Sequence, residues 1–359
     1  MAETAANTAY SHLPVRPDWL ALREEAPIEP DLPIIDPHHH LWTRPGGDYL
    51  PPDFLADIGG NNVRASVFLE CHERYRETGD AALRPVGETE FVSSIAGSCP
   101  SPSGRYPPID LCAGIVGNAD LRLGDRVTPV LEAHIAAGGG RFRGIRNISA
   151  WHRDPAARGS LANPPPGLLM DAQFRRGFAC LGPLGLTFDA YMYHTQLSEL
   201  VDLARAFPDA PIVVEHTGGP IGIGPYRDKR PEVFSEWRAR MSELAACPNV
   251  HAKIGGLGMR AFGLRVHEEA LPPSSEQLAV AWRPYIETCV ALFGSRRCMF
   301  ESNFPVDKGS CSYTVLWNTF KRVTAGHSPD ERTDLFSATA ARFYRLPVHG
   351  TDATPATHA

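Results

Sequence analysis

The sequence predicts an α/β fold, a (β/α)8 barrel in which eight parallel strands close on themselves inside a ring of helices. Short runs rich in β-branched and aromatic residues alternate with longer runs that repeat apolar residues at helical spacing. The strand runs are almost continuously apolar, as expected for a parallel sheet that is covered on both faces. Eight such units within about 300 residues favour a closed barrel over an open doubly wound sheet.

Each strand candidate is a short apolar run bounded by turn-forming residues. The eight candidates are residues 32–36, 63–70, 109–117, 142–149, 186–193, 211–216, 249–256 and 297–303. Helical spacing is clearest in four segments between them, residues 127–138, 197–207, 233–246 and 275–293. It is least regular after the first two strands, where the turn-rich residues 97–108 form either a lid or a surface loop.

The two ends of the chain lack this alternation. Residues 1–30 carry prolines, alanines and charges without a sustained period, and they are predicted to form an N-terminal arm. Residues 31–346 form the barrel in this prediction. Residues 347–359 are small, polar and proline-bearing, which predicts a flexible, disordered C-terminal tail.

The composition narrows the function classes. The chain has 359 residues, 43% of them hydrophobic and 21% charged, with a formal net charge of -6, as in ordinary globular proteins. Lysine and arginine do not cluster, so nucleic acid is not an expected partner, and no apolar run has the length of a membrane span. Eight cysteines without a CxxC pair indicate reduced thiols. Since the N-terminus has no recognisable export signal, the sequence predicts a cytoplasmic protein.

The first strand ends in a run of three histidines, within the stretch IIDPHHHLW at residues 34–42. Catalytic side chains of a (β/α)8 barrel come from the carboxyl ends of the strands. Alternation along a strand puts His38 and His40 on one face and turns His39 into the packing between strand and helix. An HxH pair on one face can hold one zinc-like ion through two imidazole nitrogens.

Further polar residues occupy or follow the other strands. They are Glu70 and His72 at the second strand, Arg143 and Arg146 on the fourth, Tyr191 and His194 at the fifth, His216 at the sixth, Lys253 on the seventh, and Asn303 and Asp307 at the eighth. Each alone fits an ordinary ion pair or a solvated position, but their joint placement at strand ends indicates an active site. Lys253 needs a carboxylate or an anionic substrate as its partner, because an unpaired buried ammonium is costly.

With these motifs the sequence resembles the amidohydrolase superfamily, and within it the amidohydrolase-2 group. The resembling motifs are IDPHHHLW, YHTQL, VVEHTGGP, NVHAKIGGLG and MFESNFPVD, and the resemblance covers roughly residues 32–345. That group contains sugar-lactone hydrolases, the pyrone-dicarboxylate lactonase and metal-dependent decarboxylases. The resemblance therefore implies a barrel enzyme that acts on a small molecule, and it makes a homo-oligomer the expected assembly.

The resemblance also implies roles for individual residues. His38 and His40 match the ligand pair of the first strand, and His194 matches a further ligand of the metal-binding members. His216 matches a histidine that is a ligand or polarises the substrate, and Lys253 matches a lysine that recurs in the lactonase branch. The implied cofactor is a divalent metal, with zinc as the expected ion.

The eighth strand departs from the family pattern at Asn303. An aspartate in this place orients or deprotonates the attacking water, whereas a neutral amide cannot accept that proton. Either the base has moved or the site holds little or no metal. The candidate bases are Asp307, which follows the motif into the loop, and Glu70 or Glu301. Asp307 has an alternative structural role as the residue that begins a helix.

The leading hypothesis is hydrolysis of a lactone, or of a related ester or amide. A divalent ion held by His38, His40 and His194 would polarise the carbonyl and activate a water molecule. A carboxylate or His216 would take the proton of that water. Anionic compounds are among the substrates that this hypothesis allows. The residues predicted to bind the substrate are Arg146, Arg143, Lys253, His72 and Tyr191.

Three other hypotheses share the same site. In one, histidines and Lys253 polarise the carbonyl without a metal, which makes the protein a metal-independent lactonase. In another, the site carries out non-oxidative decarboxylation by delivering a proton to carbon. In the third, the protein binds a ligand without turnover. The last is disfavoured, because a buried polar cluster without chemistry is a cost with no evident use.

Overall fold

The computed structural model describes residues 12–44, 47–159 and 163–347 of the chain. Eight parallel strands form one sheet in the order β1-β2-β4-β5-β6-β7-β8-β9. They are β1 (Ile34–His39), β2 (Val63–Leu69), β4 (Ile109–Gly117), β5 (Phe142–Ile148), β6 (Thr187–Tyr191), β7 (Ile212–Val214), β8 (Val250–Ile254) and β9 (Cys298–Phe300). The prediction of a (β/α)8 barrel is confirmed, and each predicted strand overlaps an observed one.

The barrel closes between its first and last strands. The backbone N–H of Asn303 donates to the carbonyl of His38 at 2.9 Å, and that of His40 donates to the carbonyl of Phe304 at 2.8 Å. These two bonds join the carboxyl end of β1 to the segment that follows β9. Closure therefore brings the histidine run into the same place as Asn303, although about 260 residues separate them in the chain.

A short additional strand, β3 (Gly97–Cys99), runs antiparallel to β4 and pairs with its first residues, Ile109 to Leu111. The amino end of β4 lies at the face of the barrel opposite to the carboxyl ends of the strands. Of the two alternatives for residues 97–108, the surface segment is therefore the observed one, and the lid is not.

One short helix precedes the first strand, and the helices that follow the strands cover the sheet with their apolar faces. They are α1 (Pro17–Leu20), α2 (Pro51–Ile58), α3 (Val86–Ile95), α4 (Thr128–Ala137), α5 (Ala172–Ala179), α6 (Leu197–Ala206), α7 (Arg230–Ala245), α8 (Ser275–Phe293), α9 (Tyr313–Val323), α10 (Pro329–Thr333) and α11 (Thr339–Phe343). Trp237, Trp282 and Trp317 of α7, α8 and α9 are fully buried. Within the described part of the chain, no helix combines the length and the apolar character that a membrane crossing requires.

The inside of the barrel is divided into an apolar half and a polar half. Ile35, Val67, Val213 and Met299 belong to one buried apolar cluster, which includes Tyr344 just after α11. Arg345 donates to the carbonyl of Gly185, which precedes β6, so α11 covers the amino ends of the strands. Because apolar side chains fill the barrel at the amino ends of the strands, its polar residues lie towards the carboxyl ends.

The described part of the predicted arm, residues 12–30, contacts the loop between β8 and α8. Arg16, Trp19 and Arg23 donate to the carbonyls of His267, Glu269 and Pro272. These contacts hold the arm across the carboxyl-end face of the barrel, where His12 reaches the main cavity. The predicted tail beyond residue 347 lies outside the described residues.

Candidate active site

A cavity of about 710 Å3 opens at the carboxyl ends of the strands. Its wall includes residues that end or follow all eight barrel strands. The predicted site residues that line it are His40, His72, Arg146, Tyr191, His216 and Asn303. A cavity at this end of a barrel is where active sites of this fold lie.

His38 and His40 lie side by side at the carboxyl end of β1, as the alternation predicts. Their Nε2 atoms are 3.3 Å apart. Nδ1 of His40 lies 2.8 Å from the carbonyl of Leu69, and Nδ1 of His38 lies 2.8 Å from Oε2 of Glu301. Since a carbonyl and a carboxylate only accept, these contacts assign the proton of each ring to Nδ1. Two Nε2 lone pairs therefore face each other.

Two facing lone pairs need an electrophile between or beside them. Burial lowers the pKa of both His38 and His40 well below the usual value, which disfavours a proton in this position. Two nitrogens bound to a tetrahedral zinc at 2.0–2.1 Å lie about 3.3–3.4 Å apart, which matches the observed separation. Nη1 of Arg146, at 3.4 Å from Nε2 of His38, is the cation present beside this pair.

His39 points away from the cavity, as predicted. Its ring stacks on Phe54 of α2 with centroids 4.2 Å apart, and its Nε2 lies 2.9 Å from Oγ of Ser66. It is fully buried between the strand and the helix layer. The residue therefore contributes to packing rather than to the cavity.

His216 follows β7 and is held by Glu301, which follows β9. Oε1 of Glu301 accepts both from the backbone N–H of His216 at 3.0 Å and from its Nδ1 at 2.8 Å. Burial acts to raise the pKa of Glu301, but the adjacent His216 and His38 hold it far below its usual range. Glu301 is thus a carboxylate that fixes the Nδ1 proton of His216. Nε2 is the ring nitrogen that remains for the cavity.

Glu215, the residue before His216, lies at the centre of a buried ion network. It accepts from Nη1 of Arg146 at 3.4 Å and from Nζ of Lys253 at 3.3 Å, and its Oε1 lies 3.2 Å from Nδ1 of His38. Burial acts to raise the pKa of Glu215, but the charges of Arg146 and Lys253 lower it to about 2. Glu215 is therefore ionised and connects the two cations beneath the cavity.

Lys253 does not line the cavity, which corrects its predicted role in substrate binding. Its ammonium is fully buried and donates to Oδ2 of Asp189 at 2.8 Å as well as to Glu215. Oη of Tyr344 donates to the same oxygen of Asp189 at 2.5 Å. The sequence allowed two kinds of partner for Lys253, a carboxylate or an anionic substrate. In the structure its partners are carboxylates.

Arg146 borders the cavity while its guanidinium is bound to carboxylates. Nε donates to Oε1 of Glu70 at 2.8 Å, and Nη2 donates to the carbonyl of the same residue. Glu70 is fully buried and does not line the cavity, so its predicted role as a catalytic base is replaced by that of the partner of Arg146.

The buried network carries an excess of negative charge. The carboxylates of Glu70, Asp189, Glu215 and Glu301 surround two permanent cations, Arg146 and Lys253. Two negative charges remain, and protonated histidines or a divalent cation would balance them. His38, Glu215 and His216 each offer one ligand atom, and these atoms lie within 4.8 Å of one another. With the facing His38–His40 pair, this donor set fits a divalent metal.

Asn303 lines the cavity, and its amide is oriented by Asp307. Nδ2 of Asn303 donates to Oδ1 of Asp307 at 2.9 Å, while Oδ2 of Asp307 accepts from the backbone N–H of Gly258 at 3.0 Å. Burial raises the pKa of Asp307 to about 7. Asp307 is fully buried and does not line the cavity. Its predicted role as the base stays a prediction, and in the structure Asp307 contacts the cavity only through Asn303.

His194 is not brought to the pair formed by His38 and His40. Its Nδ1 accepts from the backbone N–H of Ile221 at 3.3 Å, so its proton lies on Nε2 and no lone pair is left for a metal. Nε2 lies 3.9 Å from Oε2 of Glu236, which borders a second cavity of about 250 Å3. His194 was predicted as the third ligand, and the structure does not bring it together with His38 and His40.

Arg143 is likewise absent from the cavity wall. It is the second residue of β5, and its Nη1 donates to the carbonyls of Gly140 and Phe142 at the amino end of that strand. Three strand residues span about 10 Å, so Arg143 and Arg146 lie at different levels of the barrel. Its predicted role in substrate binding is corrected.

His72 and Tyr191 both line the cavity, in agreement with a role in substrate binding. The side chain of His72 is 58% exposed and lies 3.6 Å from Oε2 of Glu70. The ring of Tyr191 meets that of His216 edge to face, with centroids 4.9 Å apart. Each is thus placed to contact a bound molecule.

Two residues that organise the site were missed or underrated from the sequence. Glu215 received no role, and Glu301 was considered only as a substitute base. Both are glutamates next to short, wholly apolar strands, β7 and β9. A buried carboxylate requires a partner, so this position was a usable signal.

Comparison with known proteins agrees with this geometry. The amidohydrolase family model matches residues 35–346. The protein y4mH of Sinorhizobium fredii, whose function is uncharacterized, is 36% identical over 338 residues, which cover 88% of this chain and 99% of that protein. The chain belongs to the amidohydrolase family, and the predicted resemblance is confirmed.

Relatives with a stated activity or ligand are more distant. The L-fucono-1,5-lactonase of Burkholderia ambifaria is 27% identical over 325 residues, which cover 87% of this chain and 95% of that enzyme. A crystal structure of an amidohydrolase from Burkholderia multivorans with bound zinc is 25% identical, with a TM-score of 0.64, and the match covers 88% of this chain and 99% of that one. The prediction that the chain is a hydrolase of this family is confirmed at that level.

Proposed function

We propose that this protein hydrolyses a lactone, with a sugar-derived lactone as the best-supported class. One observation carries the proposal: His216 borders the cavity with Nδ1 fixed by the ionised Glu301, which leaves Nε2 as a base. A histidine oriented by a carboxylate is the arrangement that activates a nucleophile in many hydrolases. The lactonase relatives support the same class of reaction.

In the proposed reaction, Nε2 of His216 takes a proton from water as the water oxygen bonds to the carbonyl carbon. Arg146 contributes positive charge at the cavity wall, where the oxyanion develops. The ring carbon–oxygen bond then breaks, and His216 returns the proton to the leaving oxygen. The product is a hydroxy acid, which ionises at neutral pH.

Asn303 would position the attacking water rather than deprotonate it. Because its NH2 group donates to Asp307, the amide oxygen is the atom left to accept a hydrogen bond. The task of the missing aspartate is thus divided: an amide orients the water and a histidine receives the proton.

A divalent metal fits the same site. His38 and His40, together with Glu215, would hold it, which leaves Nε2 of His216 as the base. When bound, such an ion supplies Lewis acidity for the carbonyl and lowers the pKa of a coordinated water. Zinc is the ion that the Burkholderia multivorans structure contains. We propose zinc on this basis, with the residues described above acting on the substrate whether or not it is bound.

The test measures acid release from a panel of sugar lactones and pyrone-type lactones. The acid is titrated with base while the pH is held constant. We expect turnover of at least one sugar lactone, with one acid equivalent per molecule opened. Metal content is measured in parallel, before and after chelation. Carbon dioxide release from an aromatic or pyrone carboxylate without acid gain would indicate a decarboxylase instead. A folded protein that opens no lactone in the panel would contradict the proposal.

A further inference from the structure

Three arginines line the main cavity, and two of them are already neutralised. Arg122 donates to both carboxylate oxygens of Asp120 at 2.9 Å. Arg146 is bound by Glu70 at 2.8 Å and by Glu215 at 3.4 Å. These two arginines are therefore already bound by carboxylates and are not available as a fork for a second carboxylate, although Arg146 still places positive charge beside the reacting carbonyl.

Arg44 differs from both. Among residues 12–44, 47–159 and 163–347, no carboxylate oxygen lies within ion-pair distance of its guanidinium. Asp48, the nearest acidic residue in the chain, accepts from the backbone N–H of Arg44 at 3.2 Å rather than from the side chain. A partly buried guanidinium without a counter-ion, on the wall of a cavity, has charge available for a bound anion.

The guanidinium of Arg44 is also held in one place. Nη2 donates to the carbonyl of Cys71 at 2.5 Å, and Cζ lies 4.1 Å from the ring centroid of Trp42. These contacts occupy one N–H of Nη2 and one face of the planar group. They leave one of its two donor edges, Nε–Nη2 or Nη1–Nη2, for a ligand. A pre-oriented fork of this kind suits bidentate binding of a carboxylate at a small cost in entropy.

Arg44 lies at a definite separation from the reacting centre. Both are close to Trp42, whose ring is also 5.9 Å from the ring of His40. Cζ of Arg44 is therefore at most about 10 Å from the His40 ring centroid, the sum of the two separations through Trp42. The carbon chain of a six-carbon sugar acid is shorter than this upper limit, and the hydrogen bonds at its two ends add to the separation that it can bridge. His12 and His72 line the same cavity and add donors near its rim.

We propose that Arg44 binds a carboxylate at the end of the substrate remote from the scissile carbonyl, so that the preferred substrates are acidic sugar lactones. The inference rests on the proposed function and names the substrate class for it. It also adds a residue that the sequence did not single out to Arg146, Arg143 and Lys253, which the sequence favoured for an anion.

The experiment compares two lactones that differ only at the far carbon, D-glucaro-1,4-lactone with a carboxylate and D-glucono-1,4-lactone with a hydroxymethyl group. Wild type is expected to have a kcat/KM for the acidic lactone at least about tenfold higher. Arg44→Gln should remove that preference through a higher KM for the acid, and leave the neutral lactone within about threefold. Arg44→Lys should retain part of the preference, because the charge remains without the planar fork.

The matched control is Arg122→Gln, which removes a cavity arginine that already has its own carboxylate. It is expected to keep the preference for the acidic lactone. If Arg44→Gln lowered kcat/KM equally for both lactones, Arg44 would only support the loop that contains Cys71. That result would overturn the inference. Loss of the preference in Arg122→Gln but not in Arg44→Gln would overturn it as well.

A second measurement does not depend on turnover. Citrate is titrated into wild type, Arg44→Gln and Arg122→Gln by calorimetry at low and moderate salt. We expect Arg44→Gln to weaken citrate binding at least about tenfold and to reduce its salt dependence. If no lactone is hydrolysed but citrate binding depends on Arg44, the proposed reaction fails and the anion site stands. If citrate binds wild type and Arg44→Gln equally, the anion site fails whatever the reaction is.

Discussion

His216 and His194 are two buried histidines that follow neighbouring strands, β7 and β6, yet the structure prepares them for different tasks. Nδ1 of His216 faces the carboxylate of Glu301 at 2.8 Å, so its Nε2 is left as an acceptor. Nδ1 of His194 accepts from a backbone N–H at 3.3 Å, so its Nε2 carries the proton. The partner of one ring nitrogen determines the chemistry of the other.

The surroundings of the two histidines differ as much as their tautomers. His216 belongs to a network in which carboxylates and cations are almost wholly shielded from water. His194 faces Glu236, whose side chain is 51% exposed at the second cavity. Charges act strongly in the first region and are screened by solvent in the second. Substitutions in the first region should therefore have large effects, and their counterparts in the second region small ones.

The largest expected difference is in catalysis. His216→Asn removes the proposed base and should lower kcat about 10²- to 10⁴-fold, the range that general base catalysis contributes. His194→Gln should lower kcat less than about threefold, because its Nε2 points towards Glu236 at the second cavity and not into the main one. Both rates are measured by acid release from the best lactone of the panel.

The control for His216→Asn is its circular dichroism and thermal transition, which separate lost chemistry from lost folding. A His194 variant as inactive as the His216 variant, and equally well folded, would return His194 to the active site. It would also remove the distinction between the two regions.

The second prediction concerns folding stability. Lys253→Met leaves Asp189 and Glu215 buried with one cation fewer, and breaking a buried ion pair on one side costs about 3–5 kcal/mol. Lys229→Met, on the exposed rim of the second cavity, should change the free energy of unfolding by less than about 0.5 kcal/mol. Urea denaturation of both variants measures the difference, and equal values would contradict the contrast between shielded and screened charge.

The fold was largely predictable because its pattern is repeated. The apolar runs at residues 109–117 and 142–149 needed no tertiary information, and the observed strands Ile109–Gly117 and Phe142–Ile148 agree with them. Helix α5 was missed because it has only eight residues and includes a glycine, so its period is too short to detect. The side chain of Asp171, which caps it by accepting from the N–H of Phe174, was the usable signal.

The site was predictable in its location but not in its partners. The HxH motif and the strand ends placed His38, His40 and His216 correctly at the cavity end of the barrel. Which atom each residue would meet depends on closure of the barrel, which brings Glu301 to His38 and His216. Arg143 was grouped with Arg146 because they are close in sequence, although three residues along a strand separate their levels.

The third prediction uses Asp307, in the first region. Its pKa is raised by burial to about 7, above the value of an unfolded aspartate, so the folded state holds a proton that the unfolded state releases. This stabilisation is present at low pH and is lost as pH rises from about 4 to about 7. Between pH 4.5 and 8, the free energy of unfolding of Asp307→Asn should fall by on the order of 2 kcal/mol less than that of wild type, as measured by urea denaturation. An unchanged profile would mean that Asp307 is ionised throughout.

The smallest expected effect has the opposite sign and belongs to the second region. Burial lowers the pKa of His194 to about 4, below the ordinary histidine value, so the folded state resists a proton that the unfolded state accepts. Its contribution to stability is present above about pH 6.5 and is lost as pH falls towards 4. As the pH is lowered from 7 to 5, the free energy of unfolding of His194→Gln should therefore fall by about 1 kcal/mol less than that of wild type. If the Asp307 and His194 variants shifted the profile in the same direction, the two regions would not be the separate electrostatic environments that their partners imply.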